Sequence, residues 1–203
     1  MQTNMEQLIK KYHSTQFRND KENYIPPKVP YVDHLFGVRP ILSYALNKFG
    51  ECKDSQLFSD MCNAALGHDL IEDTNVDEEM IIKSTNDRVL SLIKELTNPV
   101  DDNHTDQYMQ QLSVASEEAR LIKYSDLIEN TTSVCFNFHI VGLDWVNEFY
   151  SPIVHKTMRI LENTNFSKYP KTADFMRSVL GMYVTVLDSK KELVYKSLLE
   201  KRD

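Results

Sequence analysis

The stretch ALGHDLIEDTN, residues 64–74, sets His68, Asp69, Glu72, Asp73 and Thr74 directly behind an apolar run. Ionisable groups beside residues patterned for burial are costly unless they hold partners. The run leading in, Leu57, Phe58, Met61, Cys62, Ala65 and Leu66, has the 3–4 spacing of a helix with one buried face. The spacing predicts a helix whose end carries a histidine and three carboxylates against the core.

The same period extends through nearly the whole chain. Leu35, Val38, Ile41, Leu42, Ala45, Leu46 and Phe49 form an earlier stripe, and Gly50 suits its stop. Asp77 is a candidate N-cap for a short helix through Ile82, and Asp87 for one carrying Val89, Leu92, Ile93 and Leu96. NPVDDNHTD (98–106) reads as a loop, and a helix is expected to open near Ser116 and run past Ile128. After a gap at Gly142, Trp145 and Phe149 start another segment that Pro152 breaks or restarts. A terminal helix is expected from about Thr172 to Leu199, after a turn at 164–172. YVTVL (183–187) alternates like a strand, but its neighbours keep the 3.6 period. The chain therefore reads as all-α, a single-domain helical bundle over residues 1–203.

Composition narrows the function. A chain of 203 residues with 41% hydrophobic and 26% charged residues has enough apolar material for one core and is not a disordered segment. A net charge of −7 argues against a nucleic-acid binder, which needs clustered Lys and Arg. A small phosphorylated ligand stays open, because a bound metal dominates the local field. Cys52, Cys62 and Cys135 form no C-x-x-C pair, and Cys52 and Cys62 fit buried free thiols. No apolar stretch has signal-peptide or membrane-spanning form, so a cytoplasmic protein without membrane contact is expected.

Four side chains are candidates to hold one metal: His34, His68, Asp69 and Asp126, each flanked by apolar helical sequence. Two imidazoles and two carboxylates with open positions suit Mn²⁺ or another divalent ion. Glu72 stands at i+4 from His68 and Asn130 at i+4 from Asp126, so each is expected to face the same site. Glu72 and Asp73 are the candidate acid–base groups, against the plainer reading of a solvated helix end. Tyr31 is expected to pack near His34, as a structural or a ligand contact.

The order H, HD, D resembles the HD superfamily of metal-dependent phosphohydrolases. HDLIEDT (68–74) is similar to the hydrolase domain of RelA/SpoT-type enzymes, which remove the 3′-pyrophosphate from ppGpp and pppGpp. PYVDH (30–34) resembles that family's P-Y-x-x-H, HSTQFR (13–18) its H-x-G-Q-x-R, and KYSDLIENTTS (123–133) its K-L-A-D-R-L-x-N-x-x-T. The motif-bearing core is about 12–135, with C-terminal helices over about 143–203. The resemblance implies that His34 is the first ligand and Asp126 the last. It further implies that Arg18 packs on the base and that Asn130 and Ser133 contact substrate.

Two positions depart from the pattern: Asn19 stands where a basic residue is expected, and Leu127 replaces an arginine. The implied activity is that of a small stand-alone guanosine-3′,5′-bis(diphosphate) 3′-pyrophosphohydrolase. An HD nucleotidase or pyrophosphatase acting on another nucleotide is the alternative, and a nucleotide-binding regulator without turnover is the third.

Overall fold

The structure, a computed structural model, describes residues 4–18, 28–98 and 104–199. Helix α1 spans Asn4–Tyr12, α2 Val32–Phe49, α3 Ser55–Gly67, α4 Leu70–Asp73, α5 Glu78–Ser84 and α6 Asp87–Leu96. Helix α7 spans His104–Val114, α8 Glu117–Phe136, α9 Phe138–Val141 and α10 Leu143–Trp145. A π turn over Val146–Tyr150 leads into α11, Ser151–Glu162, and the chain ends in α12, Pro170–Leu199. Among the described residues there is no strand, only one isolated bridge between Phe17 and Pro30. YVTVL lies inside α12, as its helical flanks require.

Local chemistry sets the helix ends. Asp54 accepts from the N–H groups of Gln56 and Leu57, Asp77 from Glu79, and Ser116 from Ala119. Gly50 ends α2 at a positive φ of 60°, with its N–H on the Leu46 carbonyl. Two ends differ from expectation. Asn86, not Asp87, caps α6, because its side chain reaches the Val89 N–H while Asp87 is already helical. The expected loop at 98–106 gives way to α7 at His104, and residues 99–103 lie outside the description. The reason is a short stripe of Tyr108, Met109 and Leu112, which α7 buries within an otherwise polar sequence.

Helix α8 is the axis of the bundle: α2, α3, α6 and α12 all pack against it. Its Leu121, Ile122 and Tyr124 are fully buried, as are Leu35, Val38 and Leu42 of α2 and Met61, Ala64 and Leu66 of α3. Helix α12 is pinned at both sides of its start. Glu51 accepts from the N–H groups of Lys171 and Thr172 at 3.0 and 2.8 Å, a carboxylate on an N-terminus that favours negative charge. Glu117, in the first turn of α8, accepts from the backbone of Ser167, Lys168 and Tyr169.

The three cysteines are free, but Cys52 and Cys62 are half-buried, whereas burial is expected for both; only Cys135 is buried. No helix among the described residues is long and apolar enough to cross a membrane.

Candidate metal and substrate site

The HD pair does not sit on one continuous helix. Helix α3 ends at Gly67, His68 and Asp69 form a turn, and α4 begins at Leu70. A Cβ on Gly67 would stand 3.0 Å from both Met5 Cε and Ile93 Cδ1, so the backbone is pressed into the core just before the turn. The break lets two adjacent side chains converge, which a continuous helix would splay by about 100°. His34, at the start of α2, and Asp126, midway along α8, are brought to the same place because α2 and α8 pack together.

The ligand atoms meet. One donor atom each from His34, His68 and Asp69 lies within 4.8 Å of the other two. His34 Nε2 is 3.3 Å from Asp126 Oδ1 and 3.6 Å from Asp69 Oδ2. His68 Nε2 is 3.2 Å from Asp69 Oδ2 and 3.6 Å from Asp126 Oδ1.

Hydrogen bonds fix which imidazole nitrogens carry protons. His68 Nδ1 donates to the Ala65 carbonyl at 2.9 Å, because a carbonyl oxygen only accepts. His34 Nδ1 donates to the Glu129 carboxylate. Both Nε2 atoms are therefore turned toward carboxylate oxygens of Asp69 and Asp126. His68 Nε2 is buried with no hydrogen-bond partner. Carboxylates gathered on two buried imidazole nitrogens draw positive charge between them, and this mixed imidazole and carboxylate donor set fits a divalent cation.

The same carboxylates draw positive charge onto the imidazoles. Burial would lower the pKa of His34, but Asp126, Glu129 and Asp69 outweigh it and push it up to about 9. His68 is raised in the same way, burial being overcome by Asp69 and Asp126. The Asp126 carboxyl would be raised by its burial, yet Lys123 and the two histidines hold it well below the usual range.

An outer layer holds these groups. Tyr31 donates to Asp69 Oδ2 at 2.7 Å, Lys123 to Asp126 Oδ2 at 2.8 Å, and Asn130 to Asp126 Oδ1 at 2.6 Å. Arg18 donates from one guanidinium nitrogen to Glu129 at 2.6 Å and from another to Asn130 at 2.8 Å. The HSTQFR segment is tied in by Gln16, whose amide donates to the Asp73 carbonyl at 2.8 Å. The Phe17–Pro30 bridge sets Arg18 and Tyr31 on either side of it.

A cleft of about 740 Å³ opens over this floor. Of the predicted residues, Arg18, Tyr31, His34, His68, Asp69, Glu72, Asp126, Asn130 and Ser133 line it. Asp73 does not; its burial, with Asp69 beside it, raises its pKa. Burial raises the pKa of Glu72, although the Asn98 N–H donates to its Oε2 at 2.9 Å. Asn19 falls outside the described residues.

Sequence reasoning missed Glu129 and the aromatic wall formed by Tyr108, Trp145, Phe149 and Tyr150. Glu129 stood at i+3 from Asp126, a spacing that puts both on one helix face, so the signal was there. The wall had no motif to mark it.

Fold and site together define an all-α helical bundle with a His/Asp cluster suited to a divalent metal. The chain is similar to a guanosine-3′,5′-bis(diphosphate) 3′-pyrophosphohydrolase, MESH1, of Xenopus tropicalis: 31% identity over 121 residues, 58% of this chain and 60% of the relative. The MESH1 of Drosophila melanogaster is 29% identical over 128 residues, covering 62% of this chain and 64% of the relative. Each match thus spans less than two thirds of the relative's length. No family model matches. Among solved structures, a metazoan orthologue of SpoT that hydrolyses ppGpp superposes with a TM-score of 0.64 at 23% identity, over 88% of this chain and 96% of that one. A protein of Listeria monocytogenes EGD-e gives 0.55 at 19% identity, over 76% and 98%. These two likenesses are of fold.

Proposed function

We propose that this protein is a metal-dependent nucleotide phosphohydrolase that removes the 3′-pyrophosphate from guanosine 3′,5′-bis(diphosphate). The observation that carries the reading is the clustering of donor atoms of His34, His68 and Asp69 within 4.8 Å of one another, with Asp126 Oδ1 3.3 Å from His34 Nε2 and 3.6 Å from His68 Nε2. The activity for which the two MESH1 relatives are named agrees with it.

His34, His68, Asp69 and Asp126 would hold the ion, with Mn²⁺ the best match to a mixed imidazole and carboxylate set. When bound, it would supply Lewis acidity and lower the pKa of water at the site. The remaining work belongs to the chain. Glu72, with Oε2 held by Asn98 and its pKa raised by burial, takes a proton from the attacking water on Oε1. The water oxygen bonds to phosphorus as the bond to the ribose 3′-oxygen breaks, and the leaving oxygen takes up the proton. The products are GDP and pyrophosphate. Asp73 acts one step back, through Tyr31, which in turn orients Asp69. Lys123 and Asn130 fix Asp126, and Ser133 lies in the cleft within reach of substrate. Such a substrate and the absence of a spanning helix among the described residues fit a cytoplasmic enzyme.

One observation favours the second reading, a less highly charged nucleotide. Among the described residues lining the cleft, the cations are Arg18 and Lys123, and both are engaged by carboxylates, while Asp69, Glu72, Asp126 and Glu148 are acidic. A nucleotide panel with Mn²⁺, read by ion-exchange chromatography, decides between them. Pyrophosphate and GDP from ppGpp support the first reading. Turnover confined to other nucleotides supports the second, and no turnover of any nucleotide rejects both.

A further inference from the structure

Arg18, the residue expected to pack on a base, forms an ion pair with Glu129 and a hydrogen bond to Asn130. The cleft's other rings are also taken. Phe17 carries the Lys28 ammonium at 5.2 Å, Tyr31 stacks on His13 at 5.2 Å, and Tyr108 carries Lys123 at 5.3 Å. Trp145 and Tyr150 stack on each other at 5.7 Å with an angle of 12°, and the Tyr150 hydroxyl meets Thr131 Oγ1 at 2.8 Å.

Phe149 differs. It keeps 55% of its surface open, and among the exposed large hydrophobic residues described it alone lines the cleft. Trp145 braces it from 5.4 Å at a tilt of 38°. The π turn over Val146–Tyr150 places it there, since an i→i+5 turn shifts side chains off the 3.6-residue register and such turns gather at functional sites. An open apolar ring beside a phosphate-binding floor is a platform for a planar heterocycle.

We propose that Phe149 is a base-stacking residue of this site, and that the nucleotide lies with its phosphates at the His34–Asp126 floor and its base against this ring. The inference rests on the nucleotide reading given above, and its test is a binding test so that the two stand or fall separately. The chain has one tryptophan, Trp145, beside Phe149, so its fluorescence reports ligand at this wall without turnover.

The experiment uses full-length protein with Mn²⁺ and titrates GDP and, separately, base-free pyrophosphate, by calorimetry and Trp145 fluorescence. Phe149→Ala is expected to weaken GDP binding about 5- to 100-fold, the range for losing one stacked base, and to leave pyrophosphate binding within about twofold. Phe149→Tyr, which keeps the ring, should stay near wild type for both ligands. A GDP affinity unchanged in Phe149→Ala, an equal loss for both ligands, or no GDP binding by wild type overturns the proposal. If GDP binding follows this pattern while no nucleotide is hydrolysed, the stacking role stands and the enzymatic reading falls. If ppGpp is hydrolysed with the same KM by wild type and Phe149→Ala, the reverse holds.

Discussion

Glu129 accepts the Nδ1 proton of His34 and, on the same carboxylate oxygen, a hydrogen bond from Arg18. One carboxylate thus sets the tautomer of a candidate metal ligand and anchors a residue of the cleft wall. Burial would raise its pKa, but His34 and Arg18 outweigh this and keep it ionised. Helix α2 makes room for it at Gly37, where an added Cβ would stand 2.9 Å from Glu129 Cγ.

Glu129→Gln is therefore expected to lower Mn²⁺ affinity by roughly 10- to 100-fold, the usual cost of losing an outer partner of a metal-bound histidine. Gly37→Ala should act in the same direction and more weakly, by displacing the Glu129 side chain. Calorimetric titration of Mn²⁺ into each variant checks both. Wild-type affinity in Glu129→Gln would show that His34 is held without it.

Glu72→Gln separates binding from chemistry. Glu72 lines the cleft but its carboxylate is not in the His34, His68 and Asp69 donor cluster. Metal affinity should stay near wild type while kcat falls about 10²- to 10⁴-fold, the range for a positioned acid–base group. Unchanged turnover of a good substrate would move the proton-transfer role elsewhere.

The pH dependence of stability has a defined sign at Glu117. Partial burial raises its pKa, but hydrogen bonds from Ser167, Lys168 and Tyr169 outweigh this and hold it below its usual value of 4.5. Its stabilisation is complete above that value and is lost as pH falls through the lower folded-state value. Glu117→Gln should cost about 0.5–1 kcal/mol near neutral pH, the scale of hydrogen bonds to a charged group discounted for solvent screening at an exposed site. Urea unfolding of both proteins should show the difference narrowing below about pH 4.5. A difference that stays constant down to pH 3 would place the loss in packing rather than charge.

What the sequence made legible follows from range. His68 and Asp69 stand next to each other behind an apolar stripe, so local spacing placed them at a helix end beside the core. His34 and Asp126 lie on strongly periodic helices, and packing α2 on α8 carried them to the same point. Glu129 was harder, because its partners Arg18 and His34 are 111 and 95 residues away in the chain. Phe149 was legible only as part of a helical segment with Trp145, because no motif marks it as a wall of the cleft. Helix α7 was missed because Tyr108, Met109 and Leu112 make only a brief apolar signal between polar residues.

The most direct test of the whole account is to incubate Mn²⁺-loaded protein with guanosine 3′,5′-bis(diphosphate) and measure pyrophosphate release. Wild type should give equimolar GDP and pyrophosphate, and release should stop on addition of a chelator. His68→Ala removes the buried Nε2 that makes no hydrogen bond and faces Asp69 and Asp126, and should reduce release to background. Release that survives in the chelated protein or in His68→Ala, or intact substrate after incubation with metal-loaded wild type, would contradict the account.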